Sequence, residues 1–183
     1  MRKVRNRKIW MHIMFLPLIT LLLIFIIFFP IEKRDAELVK NFTLEKRSGI
    51  LFDYEITRYY TSARVIEIRP GENYTIGVVT DPWNLVFGEI PAGGSYARRF
   101  IDLENLRENK VKVKLYSLGN ISKKIKFSEE YFWLNPNEKK RIDVYFFTNE
   151  TKYGFFEGEV RVEVKIPKYG FVYSLEKFFG DLK

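Results

Sequence analysis

The residues that could perform chemistry are few, and their spacing narrows them further. The one histidine, His12, sits in an apolar run near the N-terminus, and there is no cysteine. A Ser-His-acid or Cys-His arrangement therefore cannot be completed beyond residue 30, and neither can a zinc site built from imidazole and thiolate. Two carboxylate pairs remain, Glu129-Glu130 and Asp102 with Glu104. A glycosidase needs two such groups facing each other, and a calcium loop needs a fixed spacing of oxygen ligands. Neither pair has neighbours of that kind, so both read as solvated acids. Gly93-Gly94 lacks the strand-to-helix context of a phosphate-binding loop and reads as a turn. The inventory calls for no cofactor, no metal and no catalytic residue.

What is left are residues that bind or are modified. Four sequons occur, at Asn41, Asn73, Asn120 and Asn149, all beyond the apolar run. Lys123, Lys124 and Lys126 form a basic cluster that could meet an acidic polymer or an acidic patch on a partner, although such runs are more often the solvated face of a strand. Trp83 follows Asp-Pro at a turn, where an exposed indole could stack on a sugar or a buried one could cap a core. Near the C-terminus Leu175, Phe178, Phe179 and Leu182 recur at helical intervals and would form an apolar stripe, to be covered by its own domain, by a partner or by lipid.

The element that places all of these is the apolar run over residues 9–30. A helix crosses a hydrocarbon layer with about 20 predominantly apolar residues. Residues 1–8 carry Arg2, Lys3, Arg5, Arg7 and Lys8 and no acid, and a short basic flank stays cytoplasmic. The run is longer than a signal-peptide core and no small-residue cleavage site follows it, so it reads as an uncleaved signal anchor. The expectation is a single-pass cell-membrane protein with its N-terminus cytoplasmic and the rest extracytoplasmic.

Of the net charge of +8, five positive charges belong to that tail. The remainder is nearly balanced, so nucleic acid is not an implied partner, whereas membrane lipid is, through residues 9–30. The absence of Cys and Gln, the low Met content and the abundance of Lys, Glu and aromatics fit a thermophile. Together with sequons they point to an archaeal envelope glycoprotein.

Residues 31–49 are charged and weakly patterned, and read as a juxtamembrane stalk. A first strand is expected over residues 50–60. From Arg64 onward the apolar period is two. Turns are signalled at residues 70–73, 91–94, 119–120 and 135–138. Val111, Val113 and Leu115 alternate with lysines, and Ile142, Val144 and Phe146 with polar or half-polar residues. Val160, Val162, Val164 and Ile166 share one face, with Glu159, Arg161, Glu163 and Lys165 assigned to solvent. Trp133, among apolar neighbours, is expected in the core. Seven or eight short strands without long helical patterns predict an all-β antiparallel sandwich over residues 50–168, followed by an amphipathic tail over 169–183.

Several landmarks recur in a recognisable order. Phe87-Gly88 leads through a turn at residues 91–94 to a strand closing on Asn105. Leu134, Pro136 and Glu138 mark a turn into the next strand, and Tyr153, Gly154 and Gly158 open the last. This order resembles that of immunoglobulin-like domains of the ASH and major-sperm-protein type and related domains of archaeal and bacterial surface proteins. The resemblance spans residues 66–167 and implies an immunoglobulin-like β-sandwich. Because each landmark is a turn or core requirement, it implies no ligand. The chain departs from that pattern in its many aromatics and its extra N-terminal segment. The function expected is that of a membrane-anchored domain acting by contact, as a protein-binding or structural part of the cell envelope, with an envelope or surface-layer protein as partner. The alternative is a tethered carbohydrate-binding module that grips a polysaccharide through Trp83 and neighbouring tyrosines.

Overall fold

The computed structural model describes residues 37–67, 83–148 and 153–172. The apolar run over 9–30, the sequons at Asn73 and Asn149, and Phe178 and Phe179 lie outside them. Among the described residues no helix is long and apolar enough to cross a membrane.

Nine strands make up the described chain: β1 (Thr43–Ser48), β2 (Phe52–Ile66), β3 (Leu85–Pro91), β4 (Tyr96–Glu104), β5 (Val111–Gly119), β6 (Ile125–Phe127), β7 (Tyr131–Leu134), β8 (Lys139–Phe147) and β9 (Gly154–Pro167). A 3-10 turn, Ser122–Lys124, precedes β6. They form two sheets, a larger one ordered β1-β2-β9-β5-β7 with β3 also on β2, and a smaller one ordered β4-β8-β6. The fold is an all-β sandwich.

The period-two pattern explains the layering. Val111, Val113 and Leu115 of β5, Phe132 and Leu134 of β7, and Val160 and Val162 of β9 face Ile101 of β4, Ile125 of β6, and Ile142, Val144 and Phe146 of β8 in one continuous core. Each such side chain contributes about 1.5–3 kcal/mol when fully buried. Phe87 enters this core through a bulge. Ser62 pairs with Val86 and Ala63 with Gly88, which leaves Phe87 without a counterpart. Gly88 adopts a φ of 78°, which a residue with a Cβ rarely takes.

Four expectations are corrected. The stretch read as a stalk contains β1, which pairs antiparallel with β2 from Thr43↔Arg58 to Ser48↔Asp53. The first strand expected over residues 50–60 is β2 and runs on to Ile66, long enough at fifteen residues to hold β1 along one half of an edge and β3 along the other. The β2–β3 pair is parallel, so the sandwich is not wholly antiparallel. Trp133 is not in the core: Phe132 and Leu134 take the inward positions of β7, and Trp133 faces out, half-buried, with the Lys110 and Lys112 ammonium groups 5.8 and 5.6 Å from its ring.

The assignment of the charged face of β9 to solvent also needs correction. Glu159 has no exposed surface and Arg161 is 4% exposed. Across the β2–β9 pair Arg58 stands directly opposite Arg161. Glu159 pairs with both, and its Oε2 also accepts the Val39 N–H at 3.1 Å. Arg58 in turn donates to Glu45 at 2.7 Å and to the Glu37 carbonyl at 2.7 Å. Residues 37–39 are thus fastened across the outward side of the larger sheet. Burial alone would lower the Arg58 pKa, but hydrogen bonds to Glu45 and Glu159 outweigh it and raise it. The hydrogen bond from Arg58 holds the Glu45 carboxyl below its ordinary value.

Candidate functional site

The outward face of the smaller sheet carries the most distinctive surface. Alternation along β4 turns Tyr96, Arg98, Phe100, Asp102 and Glu104 outward. The register with β8 sets them opposite Phe147, Tyr145, Asp143, Arg141 and Lys139 respectively. Lys126 of β6 lies on the other side of Tyr145.

At one end of this face three rings meet. The Tyr96, Tyr145 and Phe147 centroids are 6.0 to 6.1 Å apart, with interplanar angles of 36° for Tyr96–Phe147 and 30° for Tyr145–Phe147. Tyr96 is 62% exposed. The Lys126 ammonium lies 5.4 Å from the Phe147 centroid. Asp143 orients the group: one oxygen pairs with Arg98 at 3.0 Å and the other accepts the Tyr145 hydroxyl at 3.3 Å.

At the other end charges cancel. Arg141 grips Asp102 through two hydrogen bonds, at 2.7 and 3.0 Å, and lies 4.1 Å over the Phe100 ring. Lys139 pairs with Glu104 at 3.2 Å. Asp102, Glu104, Lys139 and Arg141 line a shallow depression of about 530 Å³. The hydrogen bond from Arg141 lowers the Asp102 pKa, so this carboxyl stays ionised and is a poor proton donor at neutral pH. Glu129 is taken up by Lys140 at 2.5 Å. Among the described residues no group of three or more His, Cys, Asp or Glu is placed to hold a metal ion.

The basic cluster is brought to the aromatic end. Lys123 and Lys124 lie in the 3-10 turn that leads into β6, and Lys126 lies in β6 itself. None of the three has a carboxylate partner among the described residues; the Lys124 ammonium sits 4.9 Å from the Phe156 ring. Trp83 is elsewhere. It is 60% exposed and meets Phe42 edge-on at 5.3 Å and 71°, while Phe42 meets Tyr59 at 69°. These rings do not form the coplanar strip that a sugar platform at Trp83 requires.

The two described sequons differ in setting. Asn41 is exposed on a bend before β1. Asn120 is exposed at the turn after β5, but its Oδ1 accepts the Glu157 N–H at 2.7 Å and the following Ile121 is fully buried. In the C-terminal segment Phe171 lies in helical backbone over residues 170–172 and stacks on Tyr169 at 5.7 Å.

Sequence reading missed Tyr96, Arg98, Tyr145 and Phe147 as a group because only the β4–β8 register unites them. The signal present was ring placement at outward positions of two strands. No family model, curated protein or solved structure matches the chain.

Proposed function

We propose that this chain is a single-pass membrane-anchored extracytoplasmic protein whose immunoglobulin-like domain serves as a protein-binding or structural component of the envelope of a thermophilic archaeon. The observation that carries the reading is the fastening of residues 37–48. They follow the apolar run almost at once, and they belong to the sandwich as β1 and the ion-paired segment before it. Six residues separate Pro30 from Glu37, a reach of at most about 25 Å. The sandwich thus begins within a few residues of the apolar run, which suits a domain that acts on components of the envelope.

Strand order supports the finer fold. In the immunoglobulin arrangement B-E-D lie side by side in one sheet and C-F-G in the other. Here β4-β8-β6 take the first set of places and β5-β9 the places of C and F. The place of G beside F is filled by β2, from the N-terminal side of the domain. The extra N-terminal segment noted in the sequence is, on this reading, the strand that completes the sheet.

The test is crosslinking in native membranes followed by mass spectrometry, with external protease on intact cells as a second arm. The expected result is cleavage of the sandwich from outside and recovery of a stoichiometric envelope protein. A sandwich protected in intact cells, or released without detergent, overturns the anchored reading. Absence of any protein neighbour overturns the partner.

A further inference from the structure

The acids on the outward face of the smaller sheet are already committed. Asp143 is held by Arg98, Asp102 by Arg141 and Glu104 by Lys139. Without a carboxylate partner among the described residues are Lys126, beside the Tyr145 and Phe147 rings, and Lys123 and Lys124 in the turn that leads into it, with Lys124 over the Phe156 ring. An occupant of this end must be anionic, since only an anion gains from three cations that have no carboxylate partner among the described residues.

The rings restrict it further. They lie outward on a sheet, with Phe147 tilted 36° from Tyr96 and 30° from Tyr145 and the two tyrosines 60° from each other, and so line a concave dish instead of a groove. A peptide recognised by a sheet adds to an edge or lays a helix in a groove. The edge nearest the lysines is β6, with three residues, too short to template an added strand. An open aromatic platform instead suits a flat partner with an apolar C–H face, as a pyranose ring has. Carboxylates or sulfates on the same polymer would reach the lysines around it.

We propose that Tyr96, Tyr145 and Phe147, with Lys126, Lys123 and Lys124, form a binding site for an anionic polysaccharide. Sugar faces rest on the three rings, and acidic substituents are held by the lysines. Arg98 and Asp143 act as positioning residues, since the Tyr145 hydroxyl donates to Asp143 and Arg98 neutralises that acid. The inference goes beyond the envelope reading and does not depend on the anchor or on a protein partner.

The experiment is calorimetric titration of the full-length chain in detergent with polygalacturonate, with neutral dextran and polyglutamate as controls. The expected result is binding to polygalacturonate, none to dextran, and weaker binding to polyglutamate. Tyr96→Ala and Lys126→Ala should each weaken polygalacturonate binding about fivefold or more, as loss of a central contact does. Lys139→Ala, on the same face but paired to Glu104, should leave it unchanged. Tyr96→Phe keeps the ring and should bind like the parent, which separates ring loss from a folding defect. Polyglutamate binding as tight as polygalacturonate, with Tyr96→Ala silent, would overturn the sugar platform in favour of charge alone. No binding to polygalacturonate would overturn the site.

Discussion

Glu159 receives Arg58 through two donors: Oε2 accepts the Nε–H at 3.2 Å and an Nη2–H at 3.0 Å, from a carboxyl with no exposed surface. Arg161, directly across the strand pair from Arg58, donates to the other oxygen. Two arginines placed opposite each other repel, and the carboxylate between them makes the arrangement tolerable. Glu159→Gln removes that charge and leaves both guanidinium groups in a buried site. The expected loss of stability is about 3–5 kcal/mol, the cost of breaking a buried ion pair by removing one partner. Chemical denaturation of the two proteins side by side measures it. A loss under 1 kcal/mol would show that water already reaches the site.

Asn105 is 4% exposed and works as a clamp between two turns. Its amide donates to the carbonyls of Asn109, Leu134 and Asn135 at 2.9, 3.1 and 3.1 Å, and its Oδ1 accepts the Arg107 N–H at 3.1 Å. Asn105→Asp replaces the donor with an acceptor facing three carbonyls. A drop of about 2 kcal/mol or more is expected at pH 7. It should shrink as acid protonates the new carboxyl, which thermal melts across pH would reveal.

Gly158 and Gly119 face each other across β5 and β9. A Cβ on Gly158 would lie 2.0 Å from the Leu118 carbonyl oxygen and 2.7 Å from Ile121 Cγ2. Backbone on one side and a fully buried side chain on the other leave little room to yield. Gly158→Ala should cost about 1–3 kcal/mol, as overpacking does. Gly93→Ala, where a Cβ would meet nothing within 4 Å, isolates the cost of a positive φ of 93° alone.

Acid should destabilise the domain through a defined set of carboxyls. Glu45, Asp53, Glu55, Asp102 and Glu138 all have pKa values below their ordinary ones. For Glu55, burial pushes upward but hydrogen bonds from Lys46 and Arg107 win; for Glu138 the Asn135 backbone N–H leads. A carboxyl more acidic when folded contributes fully above its unfolded value, about 4, and loses that contribution as pH falls through the folded value. The melting temperature should therefore be flat from neutrality to about pH 5 and fall below about pH 4. Glu45→Gln should make the acid limb shallower, as read by circular dichroism melts.

The sequons can be separated by their hydrogen bonds. In a glycosylating host, Asn41→Gln should lower the mass by one glycan and leave the melting curve unchanged. Asn120→Gln should also cost about 1 kcal/mol, because the Glu157 N–H loses its acceptor. Mass spectrometry and melts on both variants check the pair.

Much of the sandwich was legible because β5, β8 and the apolar face of β9 alternate without interruption. A one-residue slip would turn every apolar side chain to water. β1 was not, since its sequence TLEKRS has one apolar residue and is held by pairing with β2 and by Glu45 with Arg58, not by burial. Glu159 and Arg161 were misassigned for a related reason. Charged residues alternating with valines look the same whether water or another segment covers them, and what covers Glu159 includes residue 39, 120 positions away. Trp133 was misplaced by neighbours that share its strand but not its face. The ring cluster at Tyr96, Tyr145 and Phe147 depends on a register between strands about fifty residues apart, which local pattern does not encode.

The long strand β2 has its fullest partner at the far end of the domain, from Phe52 against Pro167 to Val65 against Gly154. A chain emerging from the ribosome must therefore hold β2 unpaired on that side until almost the whole domain has been made. Folding waits on the synthesis of β9 and is slow for its size, since every such contact closes a loop of roughly ninety residues or more. During that wait the unpaired edge of β2 stays open to neighbours, so a chaperone that shields residues 52–66 would govern the yield of folded protein.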